Sequence, residues 1–452
     1  MIVALDGSVL LVAQPSLAAD LGASVAQVQW TSTGYLVAVA AFLVVAGRLG
    51  DRYGHRRLLL AGVLGFGAAS AGIALVPGVD GVIALRVVQG VCGALLQPAT
   101  LALLRLSYPP DRLGAPVAIR TSAIAVAAGA GPLLGGVLVA HLGWRSAFWI
   151  NVPVALLIAA LVLVVRTPVP APTPAPDRAR TERLDLPGAG LLAVALAVLV
   201  HALAGVPERG WWAAPTLLEL LAVAGVGAVF ARHERRVADP VLPPVVLRSV
   251  PVTASLALLL VTNTGLFGTL FRATFHLQDE LHLDPLVTGL RLVPLTACMI
   301  LGAPVASVAM RRFGVRGTAI AGSGLVVTGI AALSVLGPAG TWAGMAVPFA
   351  AVGAGCATVM VTATGTVVAG APPGYAGVVG GLKQTAMNVG PTLGIAVAAG
   401  VAGTAFSSLS STLLVLAALT ALGLLAAWRL PRAVAGADAA DAAALPAPSA
   451  AK

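Results

Sequence analysis

Stretches of about twenty apolar residues, the length a helix needs to cross a bilayer core, succeed one another along almost the whole chain. Short clusters of arginine, glycine and proline separate them. The pattern predicts fourteen spanning helices, near 1–19, 25–47, 58–77, 81–104, 115–141, 145–166, 186–206, 213–231, 250–274, 285–310, 316–337, 341–369, 376–402 and 405–429. Ser24 with Gln27 has the spacing of a capping box and opens the second span.

Two fragments recur at nearly one offset. Arg52-Tyr53-Gly54-His55-Arg56 returns as Arg312-Phe313-Gly314-Val315-Arg316, 260 residues later, and Gly131-Pro132-Leu133-Leu134-Gly135 returns as Gly390-Pro391-Thr392-Leu393-Gly394, 259 later. The first lies between spans 2 and 3 and between spans 10 and 11; the second lies in spans 5 and 13. Span n therefore matches span n+8, and six helices pair with six. The expected architecture is an all-α integral membrane protein of two six-helix bundles with pseudo-two-fold symmetry, plus two inserted helices, the general plan of a secondary transporter. The divisions are 1–166 for the first bundle, 167–185 for a Pro/Ala-rich linker, 186–248 for the insert, 249–430 for the second bundle and 431–452 for a tail expected to be disordered.

Composition excludes a water-soluble globule. Of 452 residues 58% are hydrophobic and 10% charged, with a mean hydropathy of +0.97. The net charge of +10 does not indicate nucleic acid, because the arginines are spread over alternate short connections. With the N-terminus inside, twenty of the 27 lysines and arginines are cytoplasmic and only Arg145, Arg209 and Arg272 lie at the outer face. Both termini are therefore expected in the cytoplasm of a multi-pass inner (plasma) membrane protein. Cys92, Cys298 and Cys356 lie in spans without CxxC spacing, and the six histidines do not cluster. No disulfide framework, metal or cofactor is expected. The first stretch lacks a basic leader and reads as a retained anchor.

The motifs resemble the major facilitator superfamily and, within it, the fourteen-helix drug:proton antiporter branch. Gly47 to Arg57 is similar to the loop signature G-x-L-a-D-r-x-G-r-[KR], and Leu5-Asp6-Gly7-Ser8-Val9 through Ala13-Gln14-Pro15 to the first-helix signature. Arg86-Val87-Val88-Gln89-Gly90 resembles the R-x-x-Q-G of helix 4, and Gly129 to Gly136 resembles the antiporter signature of helix 5. Leu277-Gln278 with Asp284-Pro285-Leu286 and Gly289-Leu290 resembles the stretch before helix 10. Two departures stand out. The arginine usual in helix 13 is replaced by Met387, with a cation one turn earlier at Lys383. The branch also carries residues ahead of its first helix, whereas Asp6 nearly begins this sequence, so the expected start lies upstream.

The resemblance implies a proton-coupled exporter of drugs or antibiotics working by alternating access, not an enzyme; the alternative is a metabolite symporter or uniporter. Asp6 and Glu219 are the acids well inside spans. An ionised carboxylate there costs about 2.5–3.5 kcal/mol to insert, which suits Asp6 to reversible protonation. Asp6 lies about 18 Å down helix 1 from its outer end and Arg86 about 9 Å down helix 4, an offset that a long side chain and one water span. A structural ion pair is the competing reading. Asp51, with Gly47, Gly50, Arg52, Gly54 and Arg56, is expected to latch onto a helix N-terminus of the other half; inside-positive anchoring competes for the arginines. Gly131, Pro132, Gly135 and Gly136 are expected to kink helix 5 and pack it closely. Asp6 faces the core cations Arg86, Arg120, Arg291 and Lys383, so the cargo is expected to be a neutral or anionic hydrophobic molecule. Trp30, Tyr35, Gln89, Arg120, Asn263, Phe267, Phe271, Lys383, Gln384, Met387 and Asn388 are candidates for its pathway, with ordinary packing as the alternative for each. Protons and the lipid bilayer are the remaining partners, and a monomer is the expected unit.

Overall fold

The protein is described here by a computed structural model, covering residues 1–109, 112–164, 185–237, 240–283, 285–336, 341–372, 375–402 and 408–432. Nearly all of the expected linker (167–185) and tail (431–452) lies outside the described residues. In chain order the helices are α1 (Ile2–Leu21), α2 (Val25–Tyr53), α3 (His55–Leu75), α4 (Val79–Ser107), α5 (Gly114–Leu142), α6 (Ser146–Trp149) and α7 (Asn151–Val164). There follow α8 (Leu186–Arg209), α9 (Ala214–Glu234), α10 (Pro244–Arg248) and α11 (Val250–Phe275), which ends in a π-helical turn at His276–Glu280. The last are α12 (Pro285–Leu336), α13 (Trp342–Ala369), α14 (Ala376–Ala402) and α15 (Leu409–Trp428). No strand occurs among the described residues. Among the described residues ten segments are long and apolar enough to cross a membrane, and the longest, Val287–Val335, takes in most of two of the spans read from the sequence.

The expected break near 311–315 is a bend inside α12. Two helices meet there at a kink, and Gly314 between them is non-helical, at φ 73° and ψ 171°. Its counterpart Gly54 separates α2 from α3 at φ 95°. Side chains rarely adopt such values, at a cost of about 1–3 kcal/mol, and glycine removes that cost. Gly54→Ala meets open space, whereas at Gly314 a methyl group would strike the Arg432 carbonyl. Thermal unfolding of the purified variants is therefore expected to show the larger loss for Gly314→Ala. Equal losses would mean that the Arg432 contact has no weight.

The repeat seen in sequence recurs in the packing. In the first bundle α1 packs on α5, α2 and α3 on α4, and α3 on α7; in the second α11 packs on α14, and α12 on both α13 and α15. A methyl group on Gly135 would lie 3.1 Å from the Val9 carbonyl, so α5 runs close against α1. Gly394 stands closer still to Thr264 of α11, where a methyl group would collide with the Thr264 carbonyl. Arg56 donates to the Val162 and Leu163 carbonyls at the end of α7, and Arg316 donates to Leu430 beyond the end of α15 at 2.8 Å. Each arginine thus satisfies carbonyls that a helix end leaves open.

The bundles meet where α2 and α4 face α14, and where α5 faces α12 and α13. Of the inserted hairpin, α9 packs on α8, and α8 lies against both α2 and α14. A buried cluster of Val44, Ala189, Val241 and Val378 joins α2, α8, the segment after α9 and α14 at the Gly54 end of the molecule. At the other end Leu203 and Val206 of α8 pack on Ala396, whose carbonyl accepts from the Trp211 indole at 3.1 Å.

Candidate functional site

Asp6 sits one turn into α1, 2% exposed, and Arg86 of α4 is 1% exposed. They meet directly: the Arg86 guanidinium donates to Asp6 Oδ2 at 2.6 Å, with no water required. Arg86 reaches down to Asp6 because its Nε is fixed on the Thr31 carbonyl at 3.0 Å and its guanidinium lies over the Tyr35 ring, 4.3 Å from the centroid. The other carboxylate oxygen, Oδ1, accepts from Gln89 Nε2 at 3.1 Å and from Asn151 Nδ2 at 2.7 Å. Gln89 also accepts from Arg86 and donates to Ser70 Oγ.

This cluster ties α1, α2, α3, α4 and α7 together around one carboxylate. Three donors, one of them the Arg86 counter-ion, offset the cost of burying the charge. Protonating Asp6 would leave the guanidinium without its counter-ion, held only by Thr31, Tyr35 and Gln89. Such a site links the charge of one residue to the packing of five helices. Gln89 belongs to this cluster, and Tyr35 lies beside it. Asn151, Ser70 and Thr31 were absent from the sequence reading. A lone amide opening a very apolar segment was the available signal for Asn151.

A second constellation lies where α2 ends. Asp51 Oδ1 accepts from the Gly377 amide at 2.7 Å and Oδ2 from the Val378 amide at 3.1 Å. These amides belong to the first turn of α14, whose dipole favours an anion. The contact depends on two glycines: a methyl group on Gly47 would collide with the Gly377 carbonyl, and one on Gly377 with the Gly47 carbonyl. His55 Nε2 is 3.1 Å from Asp51 Oδ1, and a methyl group on Gly50 would strike the His55 ring. Arg105 at the end of α4 donates to the Ala371 carbonyl just past α13, at 2.9 Å. Arg48 donates to the Pro240 carbonyl and lies over the Tyr375 ring. An acid on a helix N-terminus and an arginine past a helix C-terminus thus hold α13 and α14 from the first bundle. From sequence Arg48 and Arg105 belong simply to the twenty cytoplasmic lysines and arginines. Arg52 is exposed beside Tyr53, and Arg56 caps its own bundle.

The remaining candidates are dispersed. Trp30 is 44% exposed and stacks on His201 of α8, ring centroids 5.5 Å apart, away from the Asp6 cluster. Phe271 packs on Phe275, Phe267 is partly exposed, and Asn263 donates to the Leu259 carbonyl within its own helix. Gln384, Met387 and Asn388 are half-buried on α14, and Lys383 is buried there. Gly131 and Gly135 are buried and Gly136 has open space, while the side chain of Pro132 lies outside the described residues. The helix spans Gly114–Leu142 as one element. Glu219 is held by Arg209 at 2.9 Å and by His201 in the inserted hairpin. At the far end of α11, Glu280 bonds both Arg272 and His276. Burial pushes the Glu280 carboxyl up, and the hydrogen bonds from His276 and Arg272, with their charges, outweigh it and leave it below its ordinary value. Among the described residues no group of histidines, cysteines and acids is placed to hold a metal.

Comparison with known proteins agrees with this geometry. The profile of the Major Facilitator Superfamily matches residues 1–395 and again 256–450. The chain is 40% identical over 401 residues to the tetracenomycin C resistance and export protein of Streptomyces glaucescens, covering 88% of this chain and 73% of that protein. It is 34% identical to the puromycin resistance protein pur8 of Streptomyces alboniger, covering 88% and 78% of the two chains. The solved structure of the proton:xylose symporter XylE superposes with a TM-score of 0.63 at 14% identity, over 95% of this chain and 92% of that one, a likeness of fold. A profile match across the chain and relatives at this identity establish that the protein belongs to the major facilitator superfamily, in its drug-efflux branch.

Proposed function

We propose that this chain is a secondary active transporter that exports hydrophobic drugs or antibiotics in exchange for protons, by rocking two six-helix bundles about a central site. The observation that carries the reading is the Asp6 cluster: one carboxylate inside the membrane, bound by Arg86, Gln89 and Asn151, in a chain whose relatives are named for antibiotic resistance and export. In this reading Asp6 exchanges protons and Arg86 responds to its charge. The Asp51 latch with Gly47, Gly50 and Gly377 holds the bundles together on the cytoplasmic side. All fourteen spans cross the inner membrane with both termini inside.

One elementary charge crossing 100 mV is worth about 2.3 kcal/mol, enough to hold a roughly 45-fold gradient of a neutral cargo per proton. The excess of core cations favours a neutral or anionic cargo. The test is accumulation of a panel of antibiotics in a host lacking its own pumps. Expression is expected to lower accumulation, and an uncoupler to restore it. Lowered accumulation that persists in the uncoupler would contradict antiport. Vesicles separate antiport from the symporter reading: outward cargo movement acidifies the compartment that the cargo leaves in the first case and alkalinises it in the second.

A further inference from the structure

Arg120 and Lys383 stand on opposite bundles at nearly the same depth. Both α5 and α14 begin at the latch end, and Arg120 lies six residues beyond Gly114 while Lys383 lies seven beyond Ala376. At 1.5 Å per residue these are rises of about 9 and about 10.5 Å. Lys383 is 3% exposed and Arg120 is half-buried. Each is within range of the other's charge. Among the described residues neither makes an ion pair or a hydrogen bond.

No acid in the spans is free to neutralise them. Asp6 is taken by Arg86, Gln89 and Asn151, and Glu219 by Arg209 and His201. Further along α14 the buried Asn388 Nδ2 is another donor without a partner. Two cations at one depth of an apolar interior, without a partner acid, are costly to bury, and an anion bound between them would offset that cost. A guanidinium and an ammonium together match a planar oxyanion whose charge is delocalised.

We propose that Arg120 and Lys383 form a two-sided site for the anionic group of the cargo, a carboxylate or ionised phenol on an aromatic body. The inference rests on the export reading and narrows its cargo class. Lys383 stands one turn before Met387, so its charge and an apolar contact share one helical face.

The test uses anthraquinone-2-carboxylate and its methyl ester with the full-length protein in proteoliposomes. Wild type is expected to favour the acid over the ester by about tenfold or more in kcat/KM, about 1.4 kcal/mol. Lys383→Gln and Arg120→Gln are each expected to remove most of that ratio. Lys383→Arg is expected to restore it, and Arg291→Gln, a core cation beside Met345, to leave it unchanged. Equal handling of acid and ester by wild type, or glutamine variants that keep the ratio, would overturn the proposal. If neither probe moves under a proton gradient, the export reading fails. Acid and ester binding in detergent then decides this site separately, a preference lost in Lys383→Gln supporting it and no preference refuting it. Unfolding temperatures within a few degrees of wild type show that the variants are folded.

Discussion

Asp6→Asn is expected to abolish proton-driven export, with drug accumulation returning to that of cells without the transporter. The substitution keeps nearly the same shape but cannot gain or lose a proton in the working range. The amide also brings two donors where Gln89 and Asn151 already donate, and it leaves Arg86 buried without its counter-ion. Removing one partner of a buried ion pair costs about 3–5 kcal/mol, so a lower unfolding temperature is expected as well. Loss of export alone would therefore not separate coupling from folding. Gln89→Leu removes one donor to Asp6 but leaves the carboxylate, and it is expected to lower stability while retaining cargo-dependent proton flux. Retained drug resistance in folded Asp6→Asn would remove Asp6 from the coupling role.

The second large effect is expected at the latch. Asp51→Ala removes both acceptors of the Gly377 and Val378 amides, and with them the charge–dipole attraction at the start of α14. Hydrogen bonds to charged groups contribute about 1.5–3 kcal/mol each. A shift of 3 kcal/mol in a two-state equilibrium changes the population ratio by more than about a hundredfold. The variant is expected to rest with its cytoplasmic side open. Cysteines placed at Val45 and Leu382, which flank one shared apolar cluster in the latched form, are expected to react much faster with a cytoplasmic thiol reagent in Asp51→Ala. Gly377→Val is expected to give the same result by wedging α14 from the Gly47 carbonyl. Unchanged labelling in both variants would mean that the contact does not hold the bundles together.

Much of the fold was legible because the repeat is physical as well as textual. The pairing of span n with span n+8 predicts that Gly54 and Gly314 share a positive φ, and it aligns the Arg56 and Arg316 carbonyl caps. The same offset relates the close approach of Gly135 to α1 and that of Gly394 to α11. Asp6, Arg86 and Asp51 were legible because charge inside or at the edge of an apolar run is costly and needs a partner. What was not legible depends on contacts between distant spans. That Trp30 stacks on His201 is seen only once α8 lies against α2. That Gln89 donates to Asp6 is seen only once α4 faces α1. Asn151 carries no charge, so a search weighted to charge passes over it. Arg48 and Arg105 look like the other basic loop residues, and only the position of α13 and α14 shows which carbonyls they meet.

The central claim is that proton gain and loss at Asp6 drives cargo across the membrane. Its most direct test is the pH change inside proteoliposomes when an outward cargo gradient is imposed with no initial pH difference or voltage. Wild type is predicted to move protons opposite to the cargo at a rate proportional to cargo flux, and Asp6→Asn to move none. Cargo movement by wild type with no accompanying proton movement would contradict the account.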